Sequence, residues 1–558
     1  MKRLLAPAML ALLMIGLNWR LLFSTEFTWL ELPGIYEHTL PLMQFQAGEI
    51  HKYRLPLWDP YTNAGRPLLG WNLPSALYPP HLLMLALPLK NGWLRQVPLH
   101  WYFALLQCAM ALAMYSFARR GLALSKSASV FAGVVYALSV SSNEPHVLHA
   151  CVWAPLVFQY ARGSTAKFAF CLGMCWLPGS LIVPLSVTLA AVILKVHRGL
   201  VGVLLGLAVG GVAILPGLQV GTGSLVWSFP YFGAITCGLA VLGFAASWKD
   251  RERRWLLIAL AAAGPGVPLA LAAGAAYGTA AIRDRWSPRV AMALTAVGAA
   301  LVFGSLVAWN VRHPAFLDGG PVLLSGFLAL VLALLLWRGQ PRNAATTALL
   351  LFLIEAAQWH RLPSRFDEKR PRQLAVLARD ADVAGYLLRG QGDMPRTVID
   401  PAVIPYDFGP WYGVETYAGP DPDAHSVAFW VSRSPAHGFD RLLYAGANGT
   451  KVYGTDRTPL PRPRVVPDDA GCADLKADFA ARRADRMTIE VESTCAGRLE
   501  SGGSRSAGWR PPMPWRVTAG KQRLEFRFWP VSLTAGAALT IFGLICCLGL
   551  AWRPKNKL

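Results

Sequence analysis

The sequence predicts an α-helical polytopic membrane protein with about 13–14 membrane segments and a mainly β extracytoplasmic domain before the last helix. Three observations carry that expectation. Charged residues make up only 15% of the 558-residue chain and hydrophobic ones 54%, with a mean hydropathy of +0.37; a soluble domain carries about 25% charged residues. The apolar excess is segregated into long runs such as Leu200–Leu215 and Val322–Leu336. A polar stretch of different character, about 361–530, stands between the last two of those runs.

The first run, about 4–23, follows the basic start MKR, lacks a small-x-small cleavage site and is extended by WRLLF, so it is read as a retained helix (residues 1–23) rather than a signal peptide. A long extracytoplasmic loop with amphipathic or re-entrant elements follows over 24–97. Residues 98–360 form the multi-helix membrane domain. Its helices fall at about 98–118, 127–141 and 148–161, then a hairpin over 168–194 broken at WLPGS, then about 199–217 and 229–247. The loops on one side hold Arg119, Arg120 and Lys126, then Arg162 and Lys167, Lys195 and Arg198, and Lys249, Arg251, Arg253 and Arg254. This is the pattern of cytoplasmic loops, and it accounts for a net charge of +21 without a nucleic-acid partner; contact with anionic lipid is the alternative use of such clusters.

A single crossing over about 255–277 would reverse that pattern, whereas splitting the segment at GPGVP into two short or re-entrant helices preserves it. Helices at about 290–309, 321–337 and 344–358 complete the membrane domain. In the 361–530 region, PRTVIDPAVIPYD, DRMTIEVES and GKQRLEFRFWP read as short strands between turns. The last helix, about 531–552, returns the chain to the basic tail WRPKNKL, so both termini are cytoplasmic and 531–558 form the closing unit. Seven of the nine cysteines lie in apolar runs; Cys472 and Cys495 lie in the polar region, where an extracytoplasmic setting makes them a candidate disulfide.

No Walker loop, HExxH, G-x-S-x-G or CxxC pair is present, which excludes the commonest signatures of soluble nucleotide, zinc and serine-hydrolase chemistry. The first loop is richer. It offers Glu37, His38, Lys52, Arg54, Asp59 and Arg66 beside Trp58, Tyr61 and Tyr78. Carboxylates can act as a general base, cations can hold phosphate, and aromatic faces suit sugar rings or the membrane interface. The plainer alternative is solvated charges and interfacial aromatics. Glu144, His146 and His149 stand at a helix boundary that faces the same loop. The i, i+3 spacing of the two histidines leaves a divalent metal open, and no other cofactor is indicated.

The stretch LPLWDPYTNAGRPLL followed by SALYPPHLL resembles the first-loop signature of the YfhO-like bacterial membrane proteins, a family related to the GT-C glycosyltransferases. Five further stretches resemble the family in the same order: ARRGLALSKSASVFAGVVYALS, HVLHACVWAPLVF, IRDRWSPRV, YGVETYAGPDP and AGWRPPMPWRVTAGKQRLEFRFWPVSLTAG. The resemblance implies a GT-C-like fold in a bacterial inner membrane. It also implies a polyprenyl-phosphate-linked sugar donor and an envelope glycan, lipid or protein as acceptor. A first-loop carboxylate would take the acceptor proton while basic groups meet the leaving phosphate. Such transferases place an Asp early in the first loop; here GIYEHTLP offers Glu37 instead, with Asp59 as the reserve. The added methylene moves a base by roughly an ångström, where misplacement is costly. The competing expectation is therefore a non-catalytic assembly or transport factor for envelope polysaccharide that keeps the fold.

Overall fold

The computed structural model describes most of the chain between residues 4 and 552. The principal stretches outside the described residues are 221–233, 259–266, 285–326, 336–342, 366–379, 390–406, 415–440, 446–450, 455–462 and 501–507, with shorter gaps elsewhere. The described part is mostly helical, with a β-rich region before the final helix.

The first apolar run divides into α1 (Leu5–Leu17) and α2 (Trp19–Phe23). Asn18 sits at the break, where its side-chain amide donates to the Met14 carbonyl and to Gln107 Oε1, both at 2.9 Å. Within the first loop, LPLMQFQAGEI forms α3 (Leu40–Ile50), entered through a π-helical turn over Ile35–Thr39 and with Pro41 in its first turn, where the missing N–H costs nothing. A second short helix, α4 (Pro79–Leu85), follows the same rule. Then come α5 (Gln96–Ser116), α6 (Lys126–Ser139), α7 (Pro145–Tyr160), α8 (Thr165–Trp176) and α9 (Ile182–Lys195). Ser125 and Ser164 cap α6 and α8, accepting from the amides of Ala128 and Lys167.

The run expected as one helix over 199–217 is α10 (Val201–Val209) and α11 (Gly211–Val220), bent by 73° at Gly210. After α12 (Ala234–Ser247), α13 (Val267–Asp284) starts next to the GPG sequence and runs seven residues past the expected end at 277, taking IRD into its last turn. The break itself lies outside the described residues, as does the helix expected at 290–309; that expected at 321–337 is described only at helical positions between 327 and 335. α14 (Ala344–Trp359) precedes the polar region.

That region is less uniformly β than its sequence suggests. It contains α15 (Ala381–Arg389) and α16 (Phe408–Tyr412). The segment PRTVIDPAVIPYD, expected as a strand, lies outside the described residues except for Asp407, which leads into α16. Short strands β1 (Phe27–Thr28) and β4 (Ser364–Arg365) pair across the molecule, while β2 (Trp58–Asp59) and β3 (Arg66–Pro67) form a hairpin in the first loop. A further hairpin joins β5 (Arg441–Ala445) to β6 (Lys451–Gly454).

The C-terminal strands are β7 (Arg464–Pro467), β8 (Lys476–Arg482), β9 (Arg486–Ser493), β10 (Gly497–Glu500), β11 (Trp509–Arg510), β12 (Trp515–Val517) and β13 (Gly520–Phe528). They build two antiparallel sheets, in the orders β11-β13-β9-β8 and β12-β10-β7, that share one core. Alternation along β9 sends Met487, Ile489 and Val491 inward, against Phe526 and Phe528 of β13 and Val465, Leu499 and Val517 of the other sheet. Cys472, ahead of β8, is disulfide-bonded to Cys495, which follows β9.

This core is completed from the far end of the chain. Leu57, Trp58 and Leu69 of the first loop belong to it, and the Trp58 ring lies 5.2 Å from Trp509 and 4.7 Å from Phe528. Gly65, at φ +108°, passes directly beneath Trp58; a Cβ there would come within 2.6 Å of the indole.

The last helix, α17 (Val531–Trp552), packs along α8, α10 and α11. Its Thr540 hydroxyl accepts from the Val212 N–H at 2.9 Å, satisfying an amide released by the α10–α11 bend. Among the described residues, two helical stretches are long and apolar enough to cross a membrane, Gln96–Gly121 and Val531–Trp552, or three counting the bent pair. The other apolar helices are shorter. Leu12 of α1, Leu189 and Ile193 of α9, Leu204 of α10 and Ile541, Phe542, Ile545 and Leu548 of α17 all point outward. Apolar faces of that extent are unusual on a water-exposed protein.

Candidate functional site

The π-helical turn brings Tyr36, Glu37, His38 and Thr39 together at the entrance to α3. The Glu37 carbonyl accepts from the Asp407 N–H at 2.7 Å, which ties this turn to α16 across some 370 residues of sequence. His38 Nδ1 stands 3.4 Å from Asp407 Oδ1. Arg66 bridges inward from β3, with Nη2 3.9 Å from Asp407 Oδ2 and Nε 3.5 Å from Asp59 Oδ2. Asp59 is fully buried and accepts the Tyr61 N–H at 2.9 Å, an Asx turn that shapes the β2–β3 loop. Glu144, just ahead of α7, completes the group; it lies beside His38 and Thr39 and 3.8 Å from His146 Nδ1.

The electrostatics follow from this geometry. Burial raises Asp59 above the usual carboxylate range against the opposing pull of Arg66, Thr62 and the Tyr61 amide. Burial also raises Glu144, with His38 and the Thr39 hydroxyl working the other way. Burial alone would lower His38, but Asp407, then Glu37 and Glu144, reverse the sign and raise it. The Tyr36 phenol is pushed up to about 12 by burial and by its hydrogen bond to Glu37. Four carboxylates share one arginine and one histidine, so the cluster has a surplus of negative charge. Such a site attracts protons and hydroxyl donors.

Below it runs a buried polar chain. His81 Nε2 lies 3.1 Å from Gln46 Oε1, His81 Nδ1 3.2 Å from the Tyr102 hydroxyl, and that hydroxyl also meets His149 Nε2. With the Gln46 oxygen facing His81, proton counting fixes the directions. For neutral imidazoles, His81 Nε2–H donates to Gln46, Tyr102 donates to His81 Nδ1, and His149 Nε2–H donates to Tyr102. Tyr78 lies with its ring 4.4 Å from that of His149 and accepts from Trp153 Nε1 at 2.8 Å.

Of the residues singled out from the sequence, Glu37, His38, Asp59, Arg66 and Glu144 meet in one cluster, and His146, His149 and Tyr78 lie beneath it. Tyr61 lies beside it against Phe45. Lys52 and Arg54 do not meet it: at the other end of α3, about 16 Å away by helix rise, they pair with the buried Glu49 at 3.4 and 2.9 Å. Trp58 is packing in the β core. Among the described residues no three His, Cys, Asp or Glu side chains are grouped to hold a metal ion. Glu144, His146 and His149 form no such group: His149 Nε2 faces the Tyr102 hydroxyl, and His146 Nδ1 lies 3.8 Å from Glu144 Oε2. Asp407, His81, Tyr102 and Gln46 were not singled out. For Asp407 the available signal was an acidic residue just before the aromatic, Gly-Pro-containing stretch FGPWYG.

No protein-family model and no curated protein matches the chain. Among solved structures, it is similar to ArnT from Cupriavidus metallidurans, both bound to undecaprenyl phosphate (14% identity, TM-score 0.37) and in the apo state (15% identity, TM-score 0.41). Each alignment covers 77% of this chain and 88% of that one.

Proposed function

We propose that the protein is a multi-pass membrane glycosyltransferase of GT-C type, moving a sugar from a polyprenyl-phosphate donor to an extracytoplasmic envelope acceptor. The observation that carries this reading is the convergence of Glu37, His38, Asp59, Arg66, Glu144 and Asp407 from four separate segments into one acidic cluster. The outward apolar faces of α1, α9, α10 and α17 support a bilayer around the helices. The family resemblance of the first loop supports the donor class.

In this reaction an acceptor hydroxyl attacks the anomeric carbon, the C1–O bond to phosphate breaks, and the polyprenyl phosphate leaves with the electron pair. The hydroxyl proton passes to the Glu37 carboxylate, which is half-exposed at the rim, whereas Asp59 is sealed beneath it and holds Arg66. Asp59 is on this reading a positioning residue. The test is transfer by the purified protein from polyprenyl-phosphate sugars to envelope acceptors, comparing wild type with Glu37→Gln and Asp407→Asn. Loss of transfer with retained folding supports the assignment. Unchanged transfer in Glu37→Gln removes Glu37 as the base.

One observation favours the alternative of a non-catalytic assembly or transport factor: Arg66, Lys52 and Arg54 each face a carboxylate rather than an open site. On that reading the wild type binds envelope polysaccharide but transfers no sugar from any polyprenyl-phosphate donor.

A further inference from the structure

A second site stands one helical turn from the acidic cluster. Lys90 and Trp93 exchange backbone hydrogen bonds of 2.8 and 3.0 Å, closing a two-residue turn on Asn91 and Gly92. Those two residues take φ of +53° and +81°, the angles an Asn-Gly pair adopts most cheaply. The turn is clamped by α3. Gln44, itself buried, donates from Nε2 to the Gly92 carbonyl at 2.8 Å and accepts the Leu94 N–H on Oε1 at 2.9 Å. One buried amide thus fixes the backbone on both sides of Trp93.

What this rigid turn presents is an indole. Trp93 is 37% exposed and packs at a tilt of 30° against Trp411, with centroids 4.6 Å apart; Tyr412 meets it edge-on at 6.1 Å. The Trp411 backbone N–H donates to the Asp407 carbonyl at 3.3 Å, so Trp411 and Asp407 share a single helical turn.

We infer that Trp93 and Trp411 form a platform for a pyranose ring. A sugar has an apolar C–H face and a hydroxyl edge. The platform matches the first by stacking, and the neighbouring surplus of carboxylates matches the second as hydrogen-bond acceptors. Immobilising the ring in advance removes the ordering cost from binding. A tryptophan serving as an interfacial anchor needs neither the clamped turn nor a stacked partner. The inference rests on the proposed function only in placing this face toward envelope sugars, and it does not require that the protein catalyse transfer. The ring belongs either to a free glycan acceptor or to the lipid-linked donor.

The test uses the full chain in lipid nanodiscs, labelled with 5-fluorotryptophan and followed by fluorine NMR. The resonance missing in Trp93→Phe identifies Trp93. Soluble hexaoses of glucose, N-acetylglucosamine and mannose are titrated in one arm. In the other, polyprenyl-phosphate glucose and N-acetylglucosamine are incorporated in the disc, with sugar-free polyprenyl phosphate as the control. The expected result is a saturable shift of the Trp93 resonance in at least one arm and none with the control. Trp411→Ala should weaken that binding about five- to tenfold by the Trp93 shift, and Trp93→Ala equally by the shift of the Trp411 resonance, itself identified with Trp411→Phe, while Trp552→Phe, at an 88% exposed position on α17, leaves it unchanged. An absence of shift in both arms overturns the inference. So does an equal shift with the control lipid, or broadening of the Trp93 resonance by headgroup nitroxide lipid without any sugar response, which assigns the residue to the interface. A normal Trp93 response in a protein that transfers no sugar counts against the enzyme reading and leaves the platform standing.

Discussion

Replacing Arg66 by Met should loosen the first loop more than removing Asp59 and Arg66 together. Asp59 has no exposed surface, and its Oδ2 lies 3.5 Å from Arg66 Nε. At an effective dielectric of about 20, that separation corresponds to roughly 5 kcal/mol of attraction. Without the guanidinium, Asp59 keeps only the Tyr61 amide and the nearby Thr62 hydroxyl. Stranding one member of a buried pair costs about 3–5 kcal/mol, whereas exchanging both for neutral groups of similar shape costs far less. Met retains most of the apolar stem, so lost packing is a minor part. Asp59→Asn with Arg66→Met should therefore recover about 2 kcal/mol or more relative to Arg66→Met alone.

Hydrogen exchange reads this directly at two amides: Tyr61, which donates to Asp59, and Leu68, which donates to the Leu57 carbonyl at 2.9 Å. The pH dependence has a definite sign. The folded protein raises Asp59, so it holds that proton more tightly than the unfolded chain does. The single-variant defect should accordingly shrink as pH falls from 7 toward the carboxylate range, because protonation removes the stranded charge. A loss below about 1 kcal/mol in Arg66→Met, or a double variant as unstable as the single one, refutes the reasoning.

Trp58→Ala removes the indole between Trp509 and Phe528 and should cost about 4 kcal/mol, seen as faster exchange along β9 and β13; unchanged protection there would mean the hairpin is not part of that core. His38 should titrate above its ordinary 6.5 because of Asp407, then Glu37 and Glu144. Its stabilising charge is therefore present below 6.5 and fades as pH rises through the folded value. Asp407→Asn should bring the imidazole resonance midpoint down, and an unmoved midpoint would break the pairing. Replacing Cys472 and Cys495 by serine opens a link between residues 23 apart. By loop entropy this should cost the β module about 3 kcal/mol, measured by the denaturant midpoint of that module's exchange.

The helices were legible because lipid and packing leave a strong mark on composition: the apolar runs and the WLPGS break mark out α6, α8 and α9. The bend between α10 and α11 was not, since its freed amide is satisfied by Thr540, more than 300 residues later in the sequence. The cluster was half legible. Glu37, His38, Asp59, Arg66 and Glu144 stand in two loops rich in titratable groups. Asp407 stands elsewhere, and only tertiary structure brings it beside His38. The same distance misled in the other direction for Trp58, whose partners Trp509 and Phe528 turn an apparent ligand-facing aromatic into core. Lys52 and Arg54 read as free cations because the buried state of Glu49, a few residues away, is not written in the local pattern.

The place of Trp58 in the C-terminal core also sets a timetable. Some 450 residues separate it from Trp509, which at about 5–20 residues per second is roughly 20–90 s of synthesis. Throughout that interval Leu57, Trp58 and Leu69 have no sheet to enter, and the turn that carries Asp59 and Arg66 has no floor. The acidic cluster is thus among the last parts of the molecule to be assembled, although much of it is among the first to be made. A chain ended after α14 would lack both Asp407 and the sheet beneath Trp58, and with them the cluster.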